Sequence, residues 1–202
     1  MDAYTQEKWD RISKTFDLMS RYGPELRWRP AKRRFFANMR PDARILLVAL
    51  GTGLDIACFQ PGRRLTAIDI SPEMVTRAQA RIEAYDGEIE ARVADVNELD
   101  YPDEHFDQVF TSCTFCSVPN PVEGLKELRR VLRTGGDLYM FEHTGSRWFP
   151  FSVMMNLMTP LTSRVGPDMN RPTIENVRKA GFRLQGIDNI YLDVVKTIHA
   201  VK

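Results

Sequence analysis

Apolar positions recur along this chain with two periods, and the change of period divides it. Trp9, Ile12, Phe16 and Met19 fall at helical spacing, which predicts an amphipathic helix over residues 4–20. Gly23-Pro24 breaks it, and residues 31–39 can form a second helix. From residue 44 short apolar runs take over. The run 44–50 ends in Gly51-Thr52-Gly53 and reads as a buried parallel strand entering a tight turn. Residues 64–70 form a second strand. Ser71 then caps a helix with Pro72 at its first position, and Met74, Ala78 and Ile82 make its buried stripe. Strands are expected at 89–94 and 106–112. A helix opens at Pro121, carries Val122, Leu125, Leu128 and Leu132 on one face, and stops at Gly135-Gly136. A strand over 137–142, a helix from Pro172 to Ala180, and strands at 182–190 and 193–201 complete the pattern. Strands alternating with helices specify an α/β fold: a doubly wound, Rossmann-like sheet, mostly parallel, with a final antiparallel strand. In such sheets ligands sit beyond the carboxyl ends of the strands.

Composition narrows the class. The 202 residues carry 28 basic and 27 acidic side chains, a net charge of +1, so no nucleic-acid partner is expected from the overall field. Three cysteines and a polar start without an apolar signal core suit a cytoplasmic protein. Charge is uneven, however. Between Arg21 and Arg40 seven basic side chains face only Glu25, a local charge of +6. Trp28, Phe35 and Phe36 lie among them. Such a segment either meets an anionic membrane surface, peripherally on its inner face, or turns its aromatics inward beneath a solvated face. The chain thus divides into a basic helical segment, 1–40, and a catalytic or binding domain, 41–202.

Candidate chemistry sits at the strand ends. Gly51 and Gly53 let the backbone approach a ligand. Asp69, at the end of the second strand, can accept hydrogen bonds from both hydroxyls of a ribose. Asp95, at the end of the third, can accept from the exocyclic amine of an adenine, with Ile70 or Val96 packed on the ring. Each of these acids can equally be a loop cap. A phosphate loop ending in Lys-Ser/Thr is absent, and Ile56 stands where a dinucleotide fingerprint needs its third glycine.

Together with "AIDISPEMVTRAQARI", "ADVNELDYPDEHFDQVFTS" and "ELRRVLRTGGDLYMFEH", these strand ends resemble the class I S-adenosylmethionine-dependent methyltransferases over residues 40 to 202. The resemblance implies S-adenosyl-L-methionine as cofactor. It implies that Ala49, Gly51, Thr52 and Gly53 line the methionine part, Asp69 and Ile70 the ribose side, and Asp95 and Val96 the adenine. Thr111, Ser112 and Cys113 would face the methionine amine and the sulfonium. The chain departs from the family pattern at Leu47, where an acid is usual, and at Ala49, where glycine is common. The resemblance then leaves the ligand's ammonium to Asp55, carbonyls or water. The same departures motivate a non-catalytic nucleoside-binding module as the alternative.

On the acceptor side, Glu142 and His143 follow the fifth strand, and His143 titrates in the range of a base near neutral pH. Methyl transfer from a sulfonium is an in-line displacement with a neutral leaving group, so alignment and dryness matter more than acid catalysis. Cys113 and Cys116 have redox or zinc spacing, but no second pair accompanies them, and Cys116 is expected in a pocket wall. A lid over 147–171 is expected to cover the acceptor, with Trp148, Met154 and Met158 as an adaptable apolar wall and Asp168 and Asn170 at its mouth. Within the family, the segments around Cys116, Glu142-His143 and Asp168 resemble thiol S-methyltransferases, and more loosely phospholipid N- and quinone C-methyltransferases. That implies a small-molecule or lipid-like acceptor, a thiol or sulfide first.

Overall fold

The computed structural model describes residues 2–22, 25–146, 148–150, 152–153, 157, 168 and 170–202, without the side chains of 19–22 and 25–26. Two helices, α1 (Ala3–Tyr22) and α2 (Glu25–Phe36), precede a seven-stranded sheet. Its strands are β1 (Ile45–Val48), β2 (Arg64–Asp69), β3 (Glu88–Val93), β4 (Phe106–Ser112), β5 (Leu132–His143), β6 (Arg183–Tyr191) and β7 (Val195–Val201). Helices α3 (Pro72–Glu83), α4 (Pro121–Val131) and α5 (Thr173–Lys179) connect them, and a 3₁₀ segment, Leu54–Cys58, follows β1.

The strand order is β3-β2-β1-β4-β5-β7-β6. Strands β1 to β5 pair in parallel, and β7 runs antiparallel to both β5 and β6. The chain winds outward from β1 through β2 to β3, then returns to β4 on the other side of β1. That reversal opens a crevice beyond the carboxyl ends of β1 and β4. Alternate residues of β1 feed two cores. Leu46 and Val48 join Leu125, Leu128 and Val177 on the face under α4 and α5. Ile45 and Leu47 join Phe35, Phe36 and Phe110 on the face under α2. Burial on both faces explains why β1 reads as an unbroken apolar run.

Two elements differ from expectation. Helix α2 begins earlier than predicted and runs through Pro30, whose ring forfeits one backbone hydrogen bond. Its Trp28, Phe35 and Phe36 are buried in the core, so the aromatics of the basic segment face inward. The helix after Pro121 stops at Val131, not at the glycine pair. Leu132 is already extended and fully buried opposite Phe106, and Gly135 (φ 74°) lies at a register shift before Asp137 pairs with Gln108. The glycines therefore bend a strand. Among the described residues no helix is long and apolar enough to cross a membrane.

Candidate active site

A cavity of about 410 Å³ opens at the carboxyl ends of β1, β2, β3, β4 and β5. The turn after β1 forms its floor. There Ala49, Gly51 and Gly53 all have positive φ, at 61°, 58° and 81°. Ala49 thus holds a left-handed conformation that glycine takes at less cost. Leu47 packs in the core, and the turn is closed instead by Asp69: Gly51 N–H donates to its Oδ2 at 2.7 Å and Ser71 N–H to its Oδ1 at 2.9 Å. Gly53 lies off the cavity wall. A Cβ there would stand 3.0 Å from Ile56 Cδ1 and 3.3 Å from Ala78 Cβ, so this glycine lets the 3₁₀ segment close on α3.

Asp69 is buried, and burial pushes its carboxyl up to about 6 against the pull of the Ser71 and Gly51 amides. At neutral pH it is ionised and faces the cavity beside Ile70. Asp95 accepts from the backbone and side-chain amides of Asn97 at 2.9 and 3.0 Å and from Asp2 N–H at 3.0 Å. Burial raises its carboxyl, but these donors outweigh burial and hold it below the usual range. Val96 lies beside it. Two carboxylates with apolar neighbours at consecutive strand ends are the acceptor set that ribose hydroxyls and an adenine amine need, so the cavity fits a nucleoside cofactor.

Sequence reading missed the wall opposite. Asp2, just ahead of α1, and Thr5, Trp9, Ile12 and Phe16 of α1 all line the cavity. Helix α1 is fastened across the turn by Asp17, which accepts from Thr52 Oγ1 at 2.5 Å and from Arg81 at 2.7 Å, and by a contact of Asp10 with Ser71. The Trp9 stripe was visible in the sequence. Its partner surface was not.

At the β4 and β5 ends the cavity is lined by Ser112, Cys113, Thr114, Cys116 and His143, with Trp28 and Lys32 from α2 and Asp55 from the 3₁₀ segment. Lys32 Nζ lies 2.6 Å from Asp55 Oδ1, so Asp55 is engaged by a lysine. The Trp28 and His143 rings meet edge-on at 5.1 Å. Burial, then the charge of Lys32, lowers His143, leaving a neutral imidazole at pH 7. Among the described residues three buried polar atoms here have no hydrogen-bond partner: Trp28 Nε1, Ser112 Oγ and His143 Nδ1. Cys116 is buried, and its thiol is pushed well above its ordinary range, so it stays protonated.

Other expected residues lie elsewhere. Glu142 is fully buried and off the cavity wall: it accepts from Thr111 Oγ1 at 2.7 Å and from the backbone amides of Thr114 and Phe115 at 3.1 Å. It holds the loop after β4 in place, and Thr111, equally buried, serves that bond. In that loop Cys113 takes a positive φ of 54°. Trp148 is exposed, Asp168 pairs with Arg171 at 2.6 Å, and Asn170 is exposed; none of the three lines the cavity. Met154 and Met158 lie outside the described residues.

Residues 46–140 match a family described as a methyltransferase domain. The ubiquinone/menaquinone biosynthesis C-methyltransferase UbiE of Geotalea daltonii is 34% identical over 157 residues, 72% of this chain and 66% of that protein. The phosphatidylethanolamine N-methyltransferase of Cereibacter sphaeroides is 33% identical, over 67% of this chain and 68% of that protein. The human thiol S-methyltransferase TMT1B is 28% identical, over 75% and 67%. The chain spans about two thirds of the length of these relatives. Among solved structures, a chain of the complex between the Haloferax volcanii Trm112 methyltransferase activator and a putative methyltransferase superposes with a TM-score of 0.72 at 19% identity, covering 96% of both chains. A possible histamine N-methyltransferase of Thermotoga maritima gives 0.70 at 16% identity, over 97% and 99%. These two carry the fold, the curated relatives carry the family, and on both grounds the chain belongs to the S-adenosylmethionine-dependent methyltransferases of class I.

Proposed function

We propose that this protein transfers a methyl group to a small or lipid-like acceptor, a thiol or sulfide first. The observation that carries this reading is one cavity with the Asp69 and Asp95 carboxylates at one end and the neutral His143 at the other. S-adenosylmethionine, when bound, supplies an electrophilic methyl on a sulfonium. Asp69 holds the ribose hydroxyls and Asp95 the adenine amine. Trp9, Ile12 and Phe16 keep water from the reacting atoms. His143 takes the proton of a thiol, whose ordinary pKa of about 8.5 leaves it mostly protonated at neutral pH. A second reading, ring methylation of a quinol, draws on the 34% identity to a quinone C-methyltransferase and on the apolar wall.

S-adenosylhomocysteine release by the purified protein tests this. A small thiol, a sulfide, a demethylated quinol and phosphatidylethanolamine vesicles are offered in turn, and release with the thiol or sulfide is expected. Release with none of them, despite cofactor binding, would favour a binding module. In the His143→Ala variant, kcat with the thiol is expected to fall roughly 10²-fold, the scale of one general base, while S-adenosylhomocysteine affinity changes by less than about threefold. Equal losses in both would remove the base role.

Exposed Arg27, Arg33 and Arg34 on α2 offer positive charge to an anionic lipid surface, which is how a lipid acceptor would be met. Helix α1 has a different part in this reading. Deleting residues 1–22 is expected to weaken S-adenosylhomocysteine binding at least tenfold in calorimetry without any vesicle present. An unchanged affinity would show that α1 contributes nothing to the nucleoside end.

A further inference from the structure

The acceptor end holds features that methyl transfer in general does not require. Lys32 is buried, at 5% exposure, and a buried ammonium needs a counter-charge. Asp55 pairs it. Trp28 stands one helical turn earlier on α2, so both side chains face the same way into the cavity. Its indole Nε1–H is buried without a partner, and an indole can only donate. His143, against the Trp28 ring, also has a buried ring nitrogen without a partner.

The carboxylates of the cavity are otherwise committed. Asp69 and Asp95 bind backbone amides at the nucleoside end. Asp2 accepts from Tyr4 N–H and Thr5 Oγ1 beside Asp95. Glu142 faces the loop after β4. Asp168, whose amide donates to Cys116 O at 2.9 Å, lies off the cavity wall and is engaged by Arg171 at 2.6 Å. Among the described residues that line this end, then, Asp55 is the one carboxylate, and Lys32 holds it, whereas the lysine and the Trp28 N–H suit an anion.

We propose that Trp28 and Lys32 form, opposite His143, the seat of an acceptor that reacts as an anion, and that they exclude an ammonium. This rests on the methyltransferase reading above and names its substrate class: for a thiol, the thiolate. The thiol proton passes to a ring nitrogen of His143. The thiolate sulfur forms the new bond to the methyl carbon as that carbon's bond to the sulfonium sulfur breaks, and the pair of electrons leaves as a lone pair on a neutral thioether. Negative and positive charge cancel in the step. Lys32 and the Trp28 N–H lower the cost of the thiolate before transfer. The titratable groups sharing this end with Lys32 are Asp55 from the 3₁₀ segment, His143 from β5, and Cys113 and Cys116 after β4. Asp2, ahead of α1, lies at the Asp95 end, and α1 itself presents Thr5, Trp9, Ile12 and Phe16 to the cavity, none of which titrates near neutrality. Off the cavity wall, Lys8 of α1 and the Asp168–Arg171 pair are further charged groups near Cys116.

The test is a spectroscopic titration of a nitro-substituted aryl thiol, whose thiolate is coloured, bound to the protein with S-adenosylhomocysteine present. The wild type is expected to hold the thiol with its pKa lowered. Lys32→Met should raise that pKa by about one unit or more, with a tenfold loss of kcat/KM below it. Trp28→Phe keeps the ring and removes the donor, and should give a smaller shift in the same direction. Asp55→Asn, which removes the counter-charge, should shift the pKa downward, a direction that misfolding does not mimic. Unchanged thiol pKa values in all three variants would overturn the seat while leaving the methyltransferase reading intact. So would a tenfold loss of S-adenosylhomocysteine affinity in Lys32→Met with the thiol pKa unmoved, because that places the pair on the cofactor's own carboxylate. Turnover of phosphatidylethanolamine, undiminished in Lys32→Met, would overturn it as well. Failure to release S-adenosylhomocysteine with any acceptor removes the underlying reading, and the seat with it.

Discussion

In the Asp69→Ala variant, S-adenosylhomocysteine is expected to bind about 10²–10³-fold more weakly, a loss on the order of 3–4 kcal/mol. Two effects add. In the proposed binding mode the carboxylate takes both ribose hydroxyls, and hydrogen bonds to a charged group contribute about 1.5–3 kcal/mol each. It also closes the turn after β1 through Gly51 N–H and fixes the start of α3 through Ser71 N–H. Without it the floor of the cavity loses its shape as well as its charge. Asn at this position does not rescue, because its NH₂ turns a donor towards one of two backbone donors. Titration adds a second readout. Burial places the Asp69 carboxyl near 6, and the ionised form accepts both hydroxyls, so affinity should decline as pH falls below about 6. Calorimetry across pH 5 to 8 measures both. A loss below fivefold in Asp69→Ala would mean that the ribose is held elsewhere.

Glu142→Ala is expected to cost about 3–5 kcal/mol of folding stability, the range for breaking a buried charged or hydrogen-bonded group. Thr111 Oγ1 and the amides of Thr114 and Phe115 would lose their acceptor inside the protein. Urea unfolding reads this as a lower midpoint with unchanged slope. A loss under about 1 kcal/mol would show that the loop after β4 holds itself. The same carboxyl shapes the pH dependence. Burial raises it to about 7 in the folded chain, against 4.5 as its ordinary value. The folded state therefore holds this proton more tightly than the unfolded state. Its contribution is full below about pH 4.5 and is lost as pH rises through 7, by an amount on the order of 3 kcal/mol. The difference in stability between wild type and Glu142→Gln should therefore widen to the variant's advantage between pH 5 and 7. A difference that stays flat would mean that Glu142 titrates normally.

Much of this was legible from local pattern. Short apolar runs bounded by turn residues located each strand core, and β4 spans the predicted residues. Turn chemistry placed Ser71 and Pro72 at the start of α3, with Ser71 Oγ accepting from Met74 N–H. What sequence could not resolve was the direction of a side chain between two competing environments. Glu142 and His143 are neighbours on a strand, so one had to face the cavity and the other the interior. Nothing local says that Glu142 meets three donors inside. Lys32 looked like one member of a basic run, because its partner Asp55 lies 23 residues away. Gly135-Gly136 resembled a helix stop because a glycine pair suits either a helix end or a bent strand, and burial of Leu132 against Phe106 decided for the strand. Helix α1 showed its apolar stripe plainly, but the fold alone supplied the cavity that the stripe covers.

The position of β7 has a consequence for biosynthesis. It lies between β5 and β6 and pairs with both, yet follows both in the chain. Before it arrives, β5 presents one unpaired edge and β6 two, and α5 can hold them near each other without closing the sheet. A nascent chain therefore carries open strand edges until residues 195–201 leave the ribosome, and such edges pair readily with other chains. Every contact that β7 makes with β5 spans more than fifty residues, so this closure is a non-local and correspondingly slow event. The nucleoside end is built from β1 to β4 and α1, and so can be complete while the sheet still awaits its last strand. Cofactor captured at that stage would favour the folded part of the chain and hold it on course until β7 slides into its gap.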